Sequence, residues 1–246
     1  MKLIKFIKLA KRRQIGYFKG NPTNYIKFQN FQAKEILSEL KKRNVNLHGK
    51  TVLELAVGTG GYSPVFKQGC KDYIMNDITR PAILDIDNSI KFKKFDVTKK
   101  YPFEDNSFDF VFSCSLIEHV KDPKKMMDEI KRVLKPNGLL YLSFPPFYSP
   151  VGGHYFKPFH YFGEKIAVEL TKIFKHSVNA DSYSKGFGSF GLYIRKIGSV
   201  RRLIKKEGFS IIDYWARYPS WSFIAKIPIL NEILTWHVCF LCKNKK

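Results

Sequence analysis

The sequence predicts an α/β fold: one doubly wound, mainly parallel sheet. Three features of its 246 residues lead there. From Thr51 onward, short apolar runs alternate with amphipathic stretches of helical period, as strands and crossover helices do. Phe108–Cys114 carries almost no polar residue, which suits a strand covered on both faces. Thr51–Val57 runs straight into Gly58-Thr59-Gly60-Gly61, a strand ending in a tight turn.

Taken in order, Met1–Arg13 places Leu3, Ile4, Ile7 and Ala10 on one side at helical spacing and Lys5, Lys8 and Arg12 on the other. That pattern fits a short basic helix at an anionic membrane surface, and equally a frayed arm or a helix packed on its own domain. Gly20-Asn21-Pro22-Thr23 reads as a turn. A helix follows from about Tyr25 to Lys42, with Phe28, Phe31, Ile36, Leu37 and Leu40 as its apolar residues. Residues 1–48 therefore form a basic arm and helix ahead of a domain spanning 49–246.

Strands are expected at Thr51–Val57, Asp72–Asn76, Lys91–Phe95, Phe108–Cys114, Leu139–Phe144, Phe209–Trp215 and Trp236–Lys243. A helix should begin near Gly61. Another covers Pro123–Leu134, with Met126, Met127, Ile130, Val133 and Leu134 inward, and stops at Pro136-Asn137-Gly138. A further helix at Val200–Lys206 is closed by Gly208. Pro145 to Ser199 breaks the rhythm with prolines, glycines and aromatics around one helix at about Gly163–Phe174. It is too long for a simple connection and reads as an insertion covering a site. Trp221–Leu234 is apolar and aromatic.

Composition narrows the function. Hydrophobic residues make up 44%, enough for an ordinary globular core, and no run reaches the roughly 18 apolar residues of a membrane span. No secretory signal pattern is present at the start. Lys and Arg total 43 against 21 Asp and Glu, a net charge of +22. Such a chain attracts nucleic acid, an anionic membrane or a phosphorylated substrate, unless the lysines, spread along most of the chain, simply keep it soluble. Four scattered cysteines suit a reducing cytoplasm. Cys239 and Cys242 form a C-x-x-C within a strand, with no second pair nearby, so no metal is expected.

The glycine turn carries the chemistry. Glycine lets a ligand approach where a Cβ would clash, and the first amides of a following helix favour a negative group. A dinucleotide fingerprint would need a third glycine at position 63, where Ser63 stands. Glu54 lies four residues before Gly58, placed to meet an ammonium rather than a pyrophosphate. Asp77 ends the second strand, nineteen residues after Gly58, where a carboxylate can accept from both hydroxyls of a ribose. Asp96 follows the third strand and can accept from an adenine amino group. Together they suggest a zwitterionic amino acid joined to a nucleoside, without phosphates.

On these residues the chain resembles the class I S-adenosylmethionine methyltransferases, in the type 11-like branch acting on small molecules, lipids and glycans. Phe108-Asp109-Phe110-Val111-Phe112-Ser113-Cys114-Ser115-Leu116-Ile117-Glu118-His119-Val120 looks like that branch's fourth strand and loop. Lys131-Arg132-Val133-Leu134-Lys135-Pro136-Asn137-Gly138 looks like the approach to its fifth. The chain departs from the family at Ala56 and Val57, where glycine and a small polar residue or cysteine are usual. The resemblance implies a seven-stranded Rossmann-like sheet ending in a C-terminal antiparallel hairpin, with S-adenosyl-L-methionine as cofactor. Glu54, Gly58 and Gly60 would hold the methionine part, Asp77 the ribose, Ile78 the adenine face, and Asp96 with Val97 the adenine edge.

An oxygen acceptor needs a general base near neutrality, and histidine serves best. His119, after the fourth strand, and His154 and His160, in the aromatic insertion, are the candidates. Aromatic faces stack on rings and line apolar pockets, which favours a small-molecule, lipid-linked or glycan-linked acceptor. The charge of +22 favours RNA instead. A non-catalytic S-adenosylmethionine-binding partner protein is the third reading. The expected location is cytoplasmic, with the basic arm and Trp221–Leu234 as contacts for a membrane surface.

Overall fold

The computed structural model of the chain describes residues 22–175, 180–185, 191–218 and 222–246. The basic arm Met1–Arg13, Gly20, Asn21, His176, Gly186, Phe187, Gly188, Phe190 and Trp221 lie outside them.

Seven strands form one sheet: β1 (Thr51–Leu55), β2 (Asp72–Asp77), β3 (Lys91–Lys94), β4 (Phe108–Cys114), β5 (Leu134–Phe144), β6 (Phe209–Tyr218) and β7 (His237–Asn244). Their order is β3-β2-β1-β4-β5-β7-β6. The pairs from β3 to β5 are parallel; β7 pairs antiparallel with both β5 and β6. The doubly wound Rossmann-like sheet with its C-terminal hairpin is therefore the fold. Strand order reverses beside β1, the point where such sheets take ligands.

Alternation along each strand sends side chains to two apolar layers. Leu53, Val111, Leu140 and Phe240 face α3 (Pro123–Val133) and α5 (Ile197–Lys206). Val52, Phe110, Phe112 and Leu241 face α1 (Thr23–Lys41), which buries Ile26, Ala33, Ile36 and Leu40. Arg43, just beyond α1, stacks 3.5 Å over the Trp215 ring and donates to Asp213 at 2.9 Å, fixing the helix against β6. Asp122 caps α3 by accepting from the Lys124 amide.

Two expectations need correction. The helix after the glycine turn is only α2 (Ser63–Phe66), four residues long, so its dipole offers no strong anion site. The fifth strand starts at Leu134 rather than Leu139: Phe108 pairs with Leu134 and Phe110 with Leu139, so Pro136-Asn137-Gly138 bulge out between them. Asn137 takes a φ of +62° there, a conformation asparagine tolerates.

The stretch after β5 holds α4 (Glu164–Phe174) and a small core of its own, with Phe147, Phe156, Val168, Tyr183 and Leu192 at its centre. Further on, the apolar segment before β7 forms α6 (Leu230–Leu234) and leaves Phe223, Ile229 and Leu230 exposed. No helix among the described residues is long and apolar enough to cross a membrane. Cys239 and Cys242 point to opposite faces of β7, one in each apolar layer, so their thiols cannot share a ligand.

Candidate active site

The site is built where β1 and β2 end. Ala56, Gly58 and Gly60 all take positive φ, at +51°, +59° and +81°. Asp77 holds this turn: its Oδ2 accepts from the Gly58 amide at 2.8 Å, and its Oδ1 from the Thr79 amide and hydroxyl at 3.0 and 3.1 Å. Asn76 braces the next strand by donating to the carbonyls of Lys93 and Phe95. On the other side, Gln29 of α1 accepts from the Gly61 amide at 2.8 Å and the Thr59 hydroxyl at 2.5 Å.

Beside the turn lies a cleft of about 270 Å³, close to the small end of small-molecule sites. Asp77, Ile78, Asp96 and Val97 line it, as do Ala56, Phe95, Leu116 and His119. Gly191 and Tyr193, from the end of the insertion, form the opposite wall. Asp96 is exposed, and its Oδ1 accepts from the Thr98 amide and hydroxyl at 2.8 Å. A Cβ on Gly58 would meet nothing within 4 Å, so the backbone there is bare for close approach.

The three candidate histidines part company. His119 lines the cleft, and its Nδ1–H donates to the Gly191 carbonyl at 2.8 Å. Burial holds its pKa below the ordinary value, against that hydrogen bond. The His154 ring lies 5.0 Å from that of His119, at 68°. His154 Nε2 sits 3.9 Å from Glu118, whose carboxyl is pushed up to about 8 by burial. His160 is elsewhere: buried against Phe147 and Gly153, its Nε2–H donates to the Ser149 carbonyl at 3.2 Å. It shapes the insertion and does not reach the cleft.

Residues 53–142 match the family model for a methyltransferase domain. A methyltransferase of Mycolicibacterium vanbaalenii is 28% identical over 193 residues, covering 76% of this chain and 73% of its own. One from Mycobacterium tuberculosis is 31% identical over 134 residues; that match takes in 54% of this chain and only about half (51%) of the relative. Among solved structures, an S-adenosylmethionine-dependent methyltransferase from Mesorhizobium loti matches with a TM-score of 0.58 at 16% identity, over 85% of this chain and 97% of that one. A sarcosine dimethylglycine methyltransferase from Galdieria sulphuraria matches with a TM-score of 0.56 at 17% identity, over 87% of this chain and 85% of that one. The glycine turn, the strand order and these matches agree. Residues 53–142 are a methyltransferase domain, and the fold around them is that of S-adenosylmethionine-dependent methyltransferases.

In this methyltransferase Glu54 does not line the cleft. It shares its face of β1 with Val52, so its carboxylate lies on the α1 side, 1% exposed. There it accepts from Ser63 at 2.8 Å and from the Tyr73 hydroxyl, and so braces α2 behind the turn. Burial pushes its carboxyl up to about 7, against those two hydrogen bonds. The folded state thus holds a proton that the unfolded chain releases, and stability falls as pH rises from about 4.5 to 7. Glu54→Gln stays neutral, so its stability relative to wild type should climb through that window, by on the order of 2–3 kcal/mol in total. Chemical denaturation at pH 5 and pH 8 measures this; a constant difference between the two proteins would contradict it.

Ala56 shows what the methyltransferase does with its departure from the family pattern. Its left-handed backbone costs a side chain about 1 kcal/mol or more, whereas glycine adopts it freely. Ala56→Gly should therefore raise the melting temperature, by roughly 1 kcal/mol of stability. A lower melting temperature would mean that the methyl group's packing outweighs the strain.

Gln29, Gly191 and Tyr193 are the parts of this site that sequence reading missed. Gln29 sits in an apparently ordinary helix, and no local pattern marks its contact with the glycine turn 32 residues on. Gly191 and Tyr193 belonged to the aromatic insertion in sequence, but only the folded chain brings them opposite Asp96.

Proposed function

We propose that this methyltransferase binds S-adenosyl-L-methionine in the cleft and methylates a small-molecule, lipid-linked or glycan-linked acceptor. One observation carries the reading. Asp77, Ile78, Asp96 and Val97, from the ends of successive strands, line one cleft beside a glycine turn whose backbone is open at Gly58. The cofactor's sulfonium supplies an electrophilic methyl group. The chain's own residues must then bind, orient and exclude water. Asp77 would accept one ribose hydroxyl on Oδ2, the fourth of its acceptor positions, the other three being engaged by the turn. Ile78 would pack on the adenine, and Asp96 Oδ2 would accept from its amino group.

The acceptor side is the wall made by the insertion. Gly191 and Tyr193, on either side of Leu192 in its small core, line the cleft together with the 116–121 segment, which suits a compact acceptor group better than a duplex. Because Nδ1 of His119 carries the proton that the Gly191 carbonyl accepts, Nε2 carries the lone pair. Kept neutral by burial, this imidazole suits a base for an acceptor hydroxyl. The net charge of +22 supports the second reading, an RNA acceptor.

Calorimetric titration with S-adenosylmethionine, with NAD as control, tests the cofactor assignment. Binding of the first alone is expected, and a folded sample that binds neither would sink the proposal. Labelled methyl transfer to fractionated lipid, glycan and RNA extracts then tests the acceptor. Label is expected in the lipid or glycan fraction; label confined to RNA would move the assignment to the second reading.

A further inference from the structure

We propose that Glu118, His119 and His154 form a site for one divalent transition-metal ion, of which His119 also lines the cleft. Each offers one ligand atom, and these atoms all lie within 4.8 Å of one another. Ligands on one ion with bonds of about 2.0–2.2 Å sit roughly 3–3.5 Å apart, so small side-chain rotations close the set.

Three further observations point to a ligand here. Glu118 is 1% exposed, and no donor from another described residue reaches either carboxylate oxygen. A buried carboxylate without partners is costly, and an ion between it and the imidazoles removes that cost. His119 is already oriented as metal-binding histidines are: its Nδ1–H is fixed on a backbone carbonyl, so Nε2 is the atom presented. His154 is held with a φ of +49°, a left-handed backbone that few side chains adopt. Its ring lies 5.0 Å from that of His119, with Nε2 3.9 Å from Glu118.

The donor set names the class of ion. Two imidazoles and one carboxylate suit Zn²⁺, Co²⁺, Mn²⁺ or Fe²⁺, and Mg²⁺ and Ca²⁺ much less. Three protein ligands leave coordination positions open, which a hydroxyl-bearing acceptor can fill. This role rests on the cleft being the methyl-transfer site, but metal binding itself does not. An imidazole bound to an ion is a ligand and not a base. The site therefore replaces the free-base role of His119 with a metal that positions and acidifies the acceptor oxygen.

The test uses the full chain, stripped with a chelator and dialysed. Calorimetric titration with Zn²⁺ and absorption spectra with Co²⁺ read binding without any acceptor. One ion per chain is expected, with a cobalt spectrum showing mixed nitrogen and oxygen ligation. Glu118→Gln and His154→Gln should each weaken binding at least about 10-fold while the far-ultraviolet circular dichroism stays unchanged. His154→Gln, on the insertion, keeps the test valid should Glu118→Gln fail to fold. No binding by the wild type, or binding that survives His154→Gln undiminished, overturns the proposal. S-adenosylmethionine titration of the same stripped sample separates the two readings. Metal binding without cofactor binding sinks the proposed function alone, and the reverse sinks the metal site alone.

Discussion

Asp77→Ala is expected to weaken S-adenosylmethionine binding about 100-fold and to loosen the glycine turn at the same time. Hydrogen bonds to a charged group contribute about 1.5–3 kcal/mol each, and losing the one to a ribose hydroxyl corresponds to roughly two orders of magnitude in affinity. The same carboxylate accepts from Gly58 and twice from Thr79, so its removal also leaves the Gly58 amide without its acceptor. Asp77→Asn separates the two effects, since its carbonyl oxygen can keep one side of the turn while the charge is gone. Calorimetry for affinity and a thermal melt for stability measure both. An Asp77→Ala protein that binds within about threefold of wild type would show that the cofactor does not sit on this carboxylate.

Gly60→Ala should strongly destabilise the fold at the glycine turn. The φ of +81° penalises any side chain by about 1–2 kcal/mol, and the new Cβ would lie 2.2 Å from Cγ2 of Ile83. Overpacking of that kind adds roughly 1–3 kcal/mol, so a total loss of about 2–5 kcal/mol is expected in urea denaturation. Gly58→Ala is the internal control. Its φ is similar, but its Cβ meets open space, so only the strain of about 1 kcal/mol remains. If Ile83 is the obstacle, Ile83→Ala introduced with Gly60→Ala should recover part of the loss in a double-mutant cycle. Equal costs at positions 58 and 60 would show that the close contact with Ile83 does not matter.

Much of this architecture was legible because it is local. The glycines at 58 and 60 require a positive φ, and a run such as Phe108–Cys114 can only be a strand between two covered faces. Asp77 and Asp96 could be placed because strand ends in a doubly wound sheet all open on one side. Glu54 shows where alternation stops informing. Alternation tells which residues share a face, here Val52 and Glu54, but not which face meets the ligand. That depends on the side α1 covers, which is decided far along the chain. A helix does begin just after the turn, at Ser63, but it runs out within four residues, a length no local signal marks. The contacts of Gln29 and Gly191, and the approach of His154 to Glu118, have no local signature at all. Each joins segments at least 32 residues apart.

The way the insertion is moored has a consequence for how such an enzyme can change its diet. The Gly191 carbonyl meets His119, and the Tyr193 amide donates to the Glu118 carbonyl at 2.8 Å. From the insertion's side these two moorings are main-chain atoms, joined by the Arg195 side chain, which donates to the Ile117 and Val120 carbonyls, so substitutions at the insertion's other positions leave the wall attached. The pages of Pro145–Ser199 can be rewritten while the binding of the book stays whole.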